Sequence, residues 1–351
     1  MLAEITHFLP ITAIRRERML PLPGKVLVRK GQKVSATDAV AEAKLYPEHI
    51  LLDIARGLGL QNEKADRYLQ CKAGMRVAQG DVLAGPVGWT KRVVRSPRGG
   101  RVILAGDGKI LIELDSTPFE LKAGIPGTVI DLRENRGVTI ETSGALVQGV
   151  WGNGRIDYGL MFALVRSPED VLTTDRLDVS MRGSVVIGGY CEDVEVLKLA
   201  ESLPLRGLVL ASLNASLLSE AVKMSMPILV LEGFGRLPMN VAAYKLLTTN
   251  DKREAAVNAE NWDRFKGIRP EIVIPLPATA SVKLPREVGY FEAGQQVRIL
   301  RDPHKGEIGK LIALQTGLNK LSNDVQTKTG VVKLEGGDEV VIALVNCEIL
   351  E

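Results

Sequence analysis

The sequence predicts a multidomain, mainly β protein with one small parallel α/β unit between two sets of short strands. Three observations carry this expectation. Glycine-turned strand pairs repeat within the first 150 residues, apolar runs alternate with helical segments between 183 and 249, and at least four more short strands follow residue 296. The 351 residues suffice for two to four domains. Apolar residues make up 45% of the chain and aromatics only 4%, so its cores rest on Val, Ile, Leu and Ala.

The repeat comes first in the chain. VLVRKGQKVSATDAVA (26–41) and LQCKAGMRVAQGDVLA (69–84) match at a spacing of 43 residues. Each has a basic residue just before Gly31 or Gly74, a Val three residues later (Val34, Val77), and an Asp four residues after that. A second pair follows, SPRGGRVILAGDGKILIELD (96–115) and AGIPGTVIDLRENRGVTIETS (123–143), with Gly100 and Gly127 before strands and Ile112-Glu113 matching Ile140-Glu141. Residues 1–150 therefore read as one β domain, interrupted at 47–69 by a helical insertion whose apolar residues fall at 50, 51, 54, 55 and 58.

Residues 151–267 read as the small α/β domain. SVVIGGY, GLVLAS and PILVLEGFG are continuous apolar runs, as strands covered on both faces require. The helical segments 192–203, 214–224 and 237–249 separate or follow them, with Asn214 placed as an N-cap. Alternation of this kind implies right-handed crossovers and a parallel sheet. Three strands are few for such a sheet, and 160–165 or 271–276 are placed to add another. Prolines at 270, 275, 277 and 285 mark 268–291 as a linker with extended pieces. Residues 292–351 then give strands at 297–300, 308–314, 330–334 and 339–345, ending NCEIL.

Two family resemblances follow from these residues. The P-x-G-x-V…K-x-G-x-x-V-x-x-x-D-x-L pattern of about 20–150 resembles the barrel-sandwich hybrid fold of biotinyl and lipoyl carrier domains. A carrier would need a modifiable lysine between small or sulfur residues at a tight turn. Lys44, in AEAKLYPE, is the one candidate, and it runs on into the helical insertion, so no carrier role is expected. Val297, Ile299, Asp302, Pro303, Gly306, Gly309 and Leu311, with the closing VVIALVNCEIL, resemble the KOW/SH3-like barrel of NusG and ribosomal proteins. That resemblance implies a module that binds RNA, DNA or protein.

Charge narrows where a partner would sit. Residues 1–115 carry 19 Lys and Arg against 12 Asp and Glu, whereas 116–287 and 288–351 are each at −2. WTKRVVRSPRGGR (89–101) holds Lys91, Arg92, Arg95, Arg98 and Arg101 without an acid, with Trp89 as a stacking face. Arg298, Arg301, Lys305 and Lys310 form a second basic group on the first hairpin of the C-terminal module. These nine residues are the expected contacts to nucleic acid or another anion. In the α/β domain, ligands bind beyond the C-terminal strand ends, which singles out Gly188, Gly189, Glu232, Arg236 and Asn240 as a small-ligand mouth.

No catalytic set emerges. His7, His49 and His304 fit no metal-ligand spacing, and no nucleophile elbow or phosphate-binding glycine motif is present. Neither a cofactor nor a metal is expected. Cys71, Cys191 and Cys347 lie far apart and are odd in number, which suits a reducing cytoplasm. No apolar run has the length of a membrane span. The expected function is a non-catalytic adaptor that contacts RNA, DNA or a nucleoprotein assembly. A self-assembling protein whose β modules form homo-oligomer interfaces, and a ligand sensor or enzyme built on the α/β domain, are the alternatives.

Overall fold

In the computed structural model, which describes residues 1–44, 48–115, 117–263, 267–277, 283–321 and 323–351, the 43-residue repeat folds into the same turn twice. Gly31 and Gly74 take φ of 83° and 89°, and each N–H donates at 2.7 Å to a carbonyl across the turn, of Val129 and Val102 respectively. Ser35 N–H donates to Asp38 Oδ2 at 2.8 Å, and Ala78 N–H to Asp81 Oδ2 at 2.7 Å. The matched aspartates thus close matched loops. Val34 then faces Gly127, and Val77 faces Gly100, in antiparallel pairs. Glycine is needed at both positions, since a Cβ would fall 2.4 Å from the Glu141 carbonyl oxygen or 2.3 Å from that of Glu113. Even the register shift that follows Val129 recurs after Val102.

The chain divides into two compact units, one of 1–19, 28–40 and 122–351, the other of 20–27 and 41–121. One copy of the repeat lies in each, so the expected single domain of 1–150 is shared between units. In the 41–121 unit, the strands His49–Asp53, Lys109–Leu114, Gly100–Gly106 and Arg76–Val77 form a sheet in that order. Ile54, Leu58, Leu83, Val102, Ile110 and Ile112 fill its core. The helical insertion expected at 47–69 begins instead as strand His49–Asp53, whose residues alternate between exposed and half-buried as a strand's must. Helix Ile54–Leu58 starts only where Asp53 accepts the Arg56 N–H, and it stops at Gly59 with φ 70°. Helix Asn62–Ala65 and a 3-10 turn complete the segment. Pro47, the expected start, lies outside the described residues.

Among the described residues the larger unit holds two large sheets, of eleven and seven strands, and the short pair Asn319–Lys320/Gln326–Thr327. Among the described residues, Ile228–Phe234, Gly207–Leu213, Ser184–Cys191 and Ile156–Ala163 pair in parallel, in that order. Helix Val194–Ser202 is capped by Asp193, and Val241–Thr249 by Asn240. Asn214 caps the 3-10 turn Ala215–Leu217, which leads into helix Leu218–Ala221. Both candidate additional strands join this sheet, Ile156–Ala163 directly and Glu271–Pro275 two strands further on. The sheet does not stop there. It continues through Glu254–Asn258 and Glu271–Pro275 to Gly137–Gln148, which also pairs with Phe8–Met19. The middle segment is therefore not a sheet of its own. The linker reading of 268–291 also gives way, because EIVI is fully buried between two strands and Pro275 ends the strand rather than preventing it.

The second sheet runs Val288–Tyr290, Leu2–Thr6, Cys347–Leu350, Gln296–Ile299, Ile308–Leu314, Thr329–Leu334, Glu339–Ala343. Its C-terminal strands lie within a few residues of those expected, but their path is open rather than closed into a barrel. Leu2–Thr6, expected in the N-terminal domain, pairs in parallel with Cys347–Leu350. Mainly β architecture in several sheets thus replaces the three separate modules.

A buried ionic network ties the two sheets together. Arg298 Nη1 donates to Glu232 Oε2, and Arg298 Nε to Glu348 Oε1 at 2.6 Å. Glu348 Oε2 accepts from Thr6 Oγ1 at 2.6 Å and from Arg269 Nη2 at 3.0 Å. The guanidinium of Arg269 also lies 4.3 Å from the ring centre of Trp262. Two carboxylates and two guanidinium groups balance within the network, which is what allows four charges to be buried.

Candidate nucleic-acid interface

The hairpin Val82–Val87/Arg92–Arg95 of the 41–121 unit carries the most exposed aromatic side chain among the described residues. Gly85, with φ 107°, lets the two strands approach, since a Cβ there would come within 2.5 Å of the Arg92 carbonyl oxygen. Val94 meets helix Ile54–Leu58 at Gly57, where even a methyl group would clash with it. The base of the hairpin is therefore fixed to the core. At the other end, Gly88 (φ 70°) and Lys91 (φ 46°) form a turn closed by the Lys91 N–H on the Gly88 carbonyl. Trp89 sits in that turn with its whole side chain in solvent. A bare indole forgoes the large burial an aromatic normally gains, so it is an informative exposure.

The five basic residues around it are all exposed. Arg98 is paired with Glu48 at 2.7 Å. Arg95 donates to the Gly80 carbonyl at 2.8 Å and Arg101 to that of Gly74 at 3.3 Å, contacts that orient a guanidinium without cancelling its charge. Among the described residues no carboxylate pairs with Lys91, Arg92, Arg95 or Arg101. Residues 20–27 and 41–121 together hold 13 Lys and Arg against 10 Asp and Glu, so this unit accounts for the chain's whole formal excess of +3.

The second basic group is only partly a surface. Arg298 is 1% exposed and engaged by two carboxylates, which correct its expected role from anion contact to structural bridge. No local pattern marks this role, because Glu232 and Glu348 are remote in the chain. Arg301, Lys305 and Lys310 are exposed.

The expected ligand mouth is likewise rearranged. Gly188 and Gly189 are buried beneath residues 170–172. Tyr190 N–H donates to the Asp170 carbonyl and Leu172 N–H to the Tyr190 carbonyl, both at 2.8 Å, and a Cβ on Gly189 would lie 1.9 Å from that Asp170 oxygen. These glycines admit a neighbouring backbone, not a phosphate. Glu232 accepts the Asn240 N–H at 2.8 Å as well as Arg298, and Asn240 Oδ1 accepts the Ala242 N–H at 2.7 Å. Both side chains are thus committed to the fold, with burial pushing the Glu232 carboxyl upward despite Arg298. Arg236 is exposed on the loop after the strand. A cleft of about 630 Å³ does open here, lined by Leu237, Met239 and Ile308 with Lys245, Lys305 and Glu335 around them.

Other chemistry-bearing residues are enclosed. The Cys191 thiol is pushed up to about 12 by burial and so stays protonated, unsuited to nucleophilic work. His7 is buried, its Nδ1 3.0 Å from Gln148 Oε1 and its Nε2 3.0 Å from the Arg286 carbonyl, and desolvation holds it below the usual imidazole range. Among the described residues no cluster of His, Cys, Asp and Glu is arranged as a metal site, and no helix is long and apolar enough to cross a membrane. Compared with protein-family models and with curated proteins, the chain has no match.

Proposed function

We propose that this protein is a non-catalytic binding protein that holds single-stranded nucleic acid on the Val82–Arg95 hairpin. The observation that carries the reading is Trp89, fully exposed on a turn followed at once by Lys91 and Arg92. An indole face stacks on any unpaired base, and cations beside it neutralise the adjoining phosphates. Arg95 and Arg101 extend the cationic group, while Arg98 is already neutralised by Glu48. On this reading the chain acts in a cytoplasmic nucleoprotein assembly, which its three free, buried cysteines suit.

The two fold resemblances enter on the same footing. Equivalent turns at Gly31 and Gly74 support a barrel-sandwich ancestry for the repeats. Lys44, the one candidate for a carrier's lysine, lies 3.8 Å from Glu113 in an ion pair, and we assign it no carrier role. The hairpin Gln296–Ile299/Ile308–Leu314 supports a KOW-type element in the C-terminal sheet. Because Arg298 is buried, we assign that element to internal assembly more than to an anion.

Binding of a labelled single-stranded oligonucleotide, followed by anisotropy across a salt series, tests the proposal. The expected result is affinity that falls steeply with salt and is weakened in Trp89→Ala. No binding at low salt would remove it. The cleft of about 630 Å³ beside Lys305 favours a second reading, a small-ligand sensor, which a ligand-induced rise in melting temperature would support.

A further inference from the structure

We infer that strand His49–Asp53 is a self-complementary edge through which two copies of this chain join sheets across a twofold axis. The strand ends the sheet of the 41–121 unit, paired on one side only by Lys109–Leu114. On that side Leu114 N–H donates to the Glu48 carbonyl and Ile54 N–H to the Gly108 carbonyl. Antiparallel alternation then turns the N–H and C=O groups of His49, Leu51 and Asp53 outward. Among the described residues no other strand pairs with them. The side chains of the same three residues stand on the exposed face, Leu51 being 61% exposed.

The sequence HILLD suits a second copy of itself. In an antiparallel pair centred on Leu51, Leu51 faces its own counterpart, and His49 of each copy faces Asp53 of the other. All three outward residues on each side are then hydrogen-bonded, Leu51 is covered, and each end brings the His49 imidazole, which within its own chain lies 4.0 Å from Glu113, to the Asp53 carboxylate of the other copy. Centring the pair on His49 or on Asp53 would instead oppose identical groups, so charge selects the central register. The other five-residue edge, Glu339–Ala343, lacks this property. The same geometry there turns Glu339, Val341 and Ala343 outward, and self-pairing would set Glu339 against Ala343. An edge with an exposed leucine at its centre is a template for such pairing.

Sedimentation of the full chain over a concentration series tests the inference. Wild type is expected to dimerise. His49→Glu places like charges at both ends of the pair and is expected to weaken the dimer about tenfold or more, while His49→Lys keeps opposite charges and retains it. Leu51→Pro deletes an outward N–H in each copy and is expected to give monomer. Because that variant can also disturb the strand, Leu51→Cys provides an independent readout. The native cysteines are buried, so mild oxidation should cross-link the Leu51→Cys dimer and leave Lys109→Cys uncross-linked. A monomeric wild type, or a dimer that ignores the charge at 49 and yields no cross-link at 51, would overturn the inference.

Discussion

Arg298 Nε donates to Glu348 Oε1 at 2.6 Å in a site where each residue is 1% exposed, and the same guanidinium reaches Glu232 in the neighbouring sheet. Its Nη2 lies 2.5 Å from the same Oε1 as an ion contact. Removing the cation would leave two carboxylates in a space closed to water. Arg298→Met should therefore cost about 3–5 kcal/mol, read as a fall in the denaturant midpoint. Arg301→Met, at an exposed position three residues away, should leave the midpoint nearly unchanged.

The two carboxylates of this network respond oppositely to acid. Arg298 and Arg269 hold the Glu348 carboxyl down at about 2, from an ordinary 4.5, against the opposing effect of its burial. A folded-state value below the unfolded one stabilises the fold above the unfolded value. That stability is lost as pH falls from about 4.5 towards 2. Glu348→Gln should flatten the acid limb of a stability-against-pH curve. Glu232 is pushed up by burial, so its protonation favours the folded state, and Glu232→Gln should steepen the limb.

On the hairpin, aromatic and charge contributions separate experimentally. Trp89→Ala should weaken single-strand binding by about tenfold without changing its salt dependence, as loss of one stacked base requires. With four cations lacking carboxylate partners, the logarithm of the binding constant should fall against that of salt with a slope of about −3, and Arg92→Ala should reduce the slope by less than one. Arg98→Ala should change it least, because Glu48 already offsets that charge.

Gly189 offers a test of why the predicted mouth is closed. Gly189→Ala drives a methyl into the Asp170 carbonyl and should cost about 1–3 kcal/mol or more, lowering the melting temperature. At Gly188 the nearest atom is the end of the Leu172 side chain, 2.7 Å from a built Cβ, rather than a backbone oxygen, so Gly188→Ala should cost less than Gly189→Ala.

Gly85→Ala should detach binding from overall stability. Its φ of 107° and the 2.5 Å approach to the Arg92 carbonyl make any side chain incompatible with the hairpin. Oligonucleotide affinity should fall, while the denaturation midpoint of a variant-insensitive probe such as Trp262, which lies in the other unit, should hold.

What was legible in the sequence was local. Gly31, Asp38 and Val34 announce a turn and a strand within nine residues, and their echo at 74, 81 and 77 announces its copy. Strand Ser184–Cys191 and the Asn214 cap were readable for the same reason, since apolar runs and N-caps act over a few residues. Pairing across the chain left no such mark. The partners of Arg298 lie 66 and 50 residues away, and a basic residue next to other basic residues looks like surface until those partners are known. Gly188-Gly189 before a helix has the same appearance whether it receives a phosphate or the backbone of Asp170. HILLD falls between periods, its apolar residues serving a strand or a helix equally until Asp53 fixes the helix start.

The pairing of Leu2–Thr6 with Cys347–Leu350 also sets an order of events in time. Thr6 and Glu348 are separated by 342 residues and hydrogen-bond to each other. As the chain is synthesised, an early strand carrying Ala3 and Ile5, both buried in the end, must wait for Val288–Tyr290 on one side and Cys347–Leu350 on the other before it is covered. Closing so long a loop is slow, and for that interval an unpaired apolar strand is open to wrong partners. The 41–121 unit, whose sheet closes within its own short span, has no such wait. Nascent chains are thus expected to acquire the basic hairpin well before the larger unit is complete.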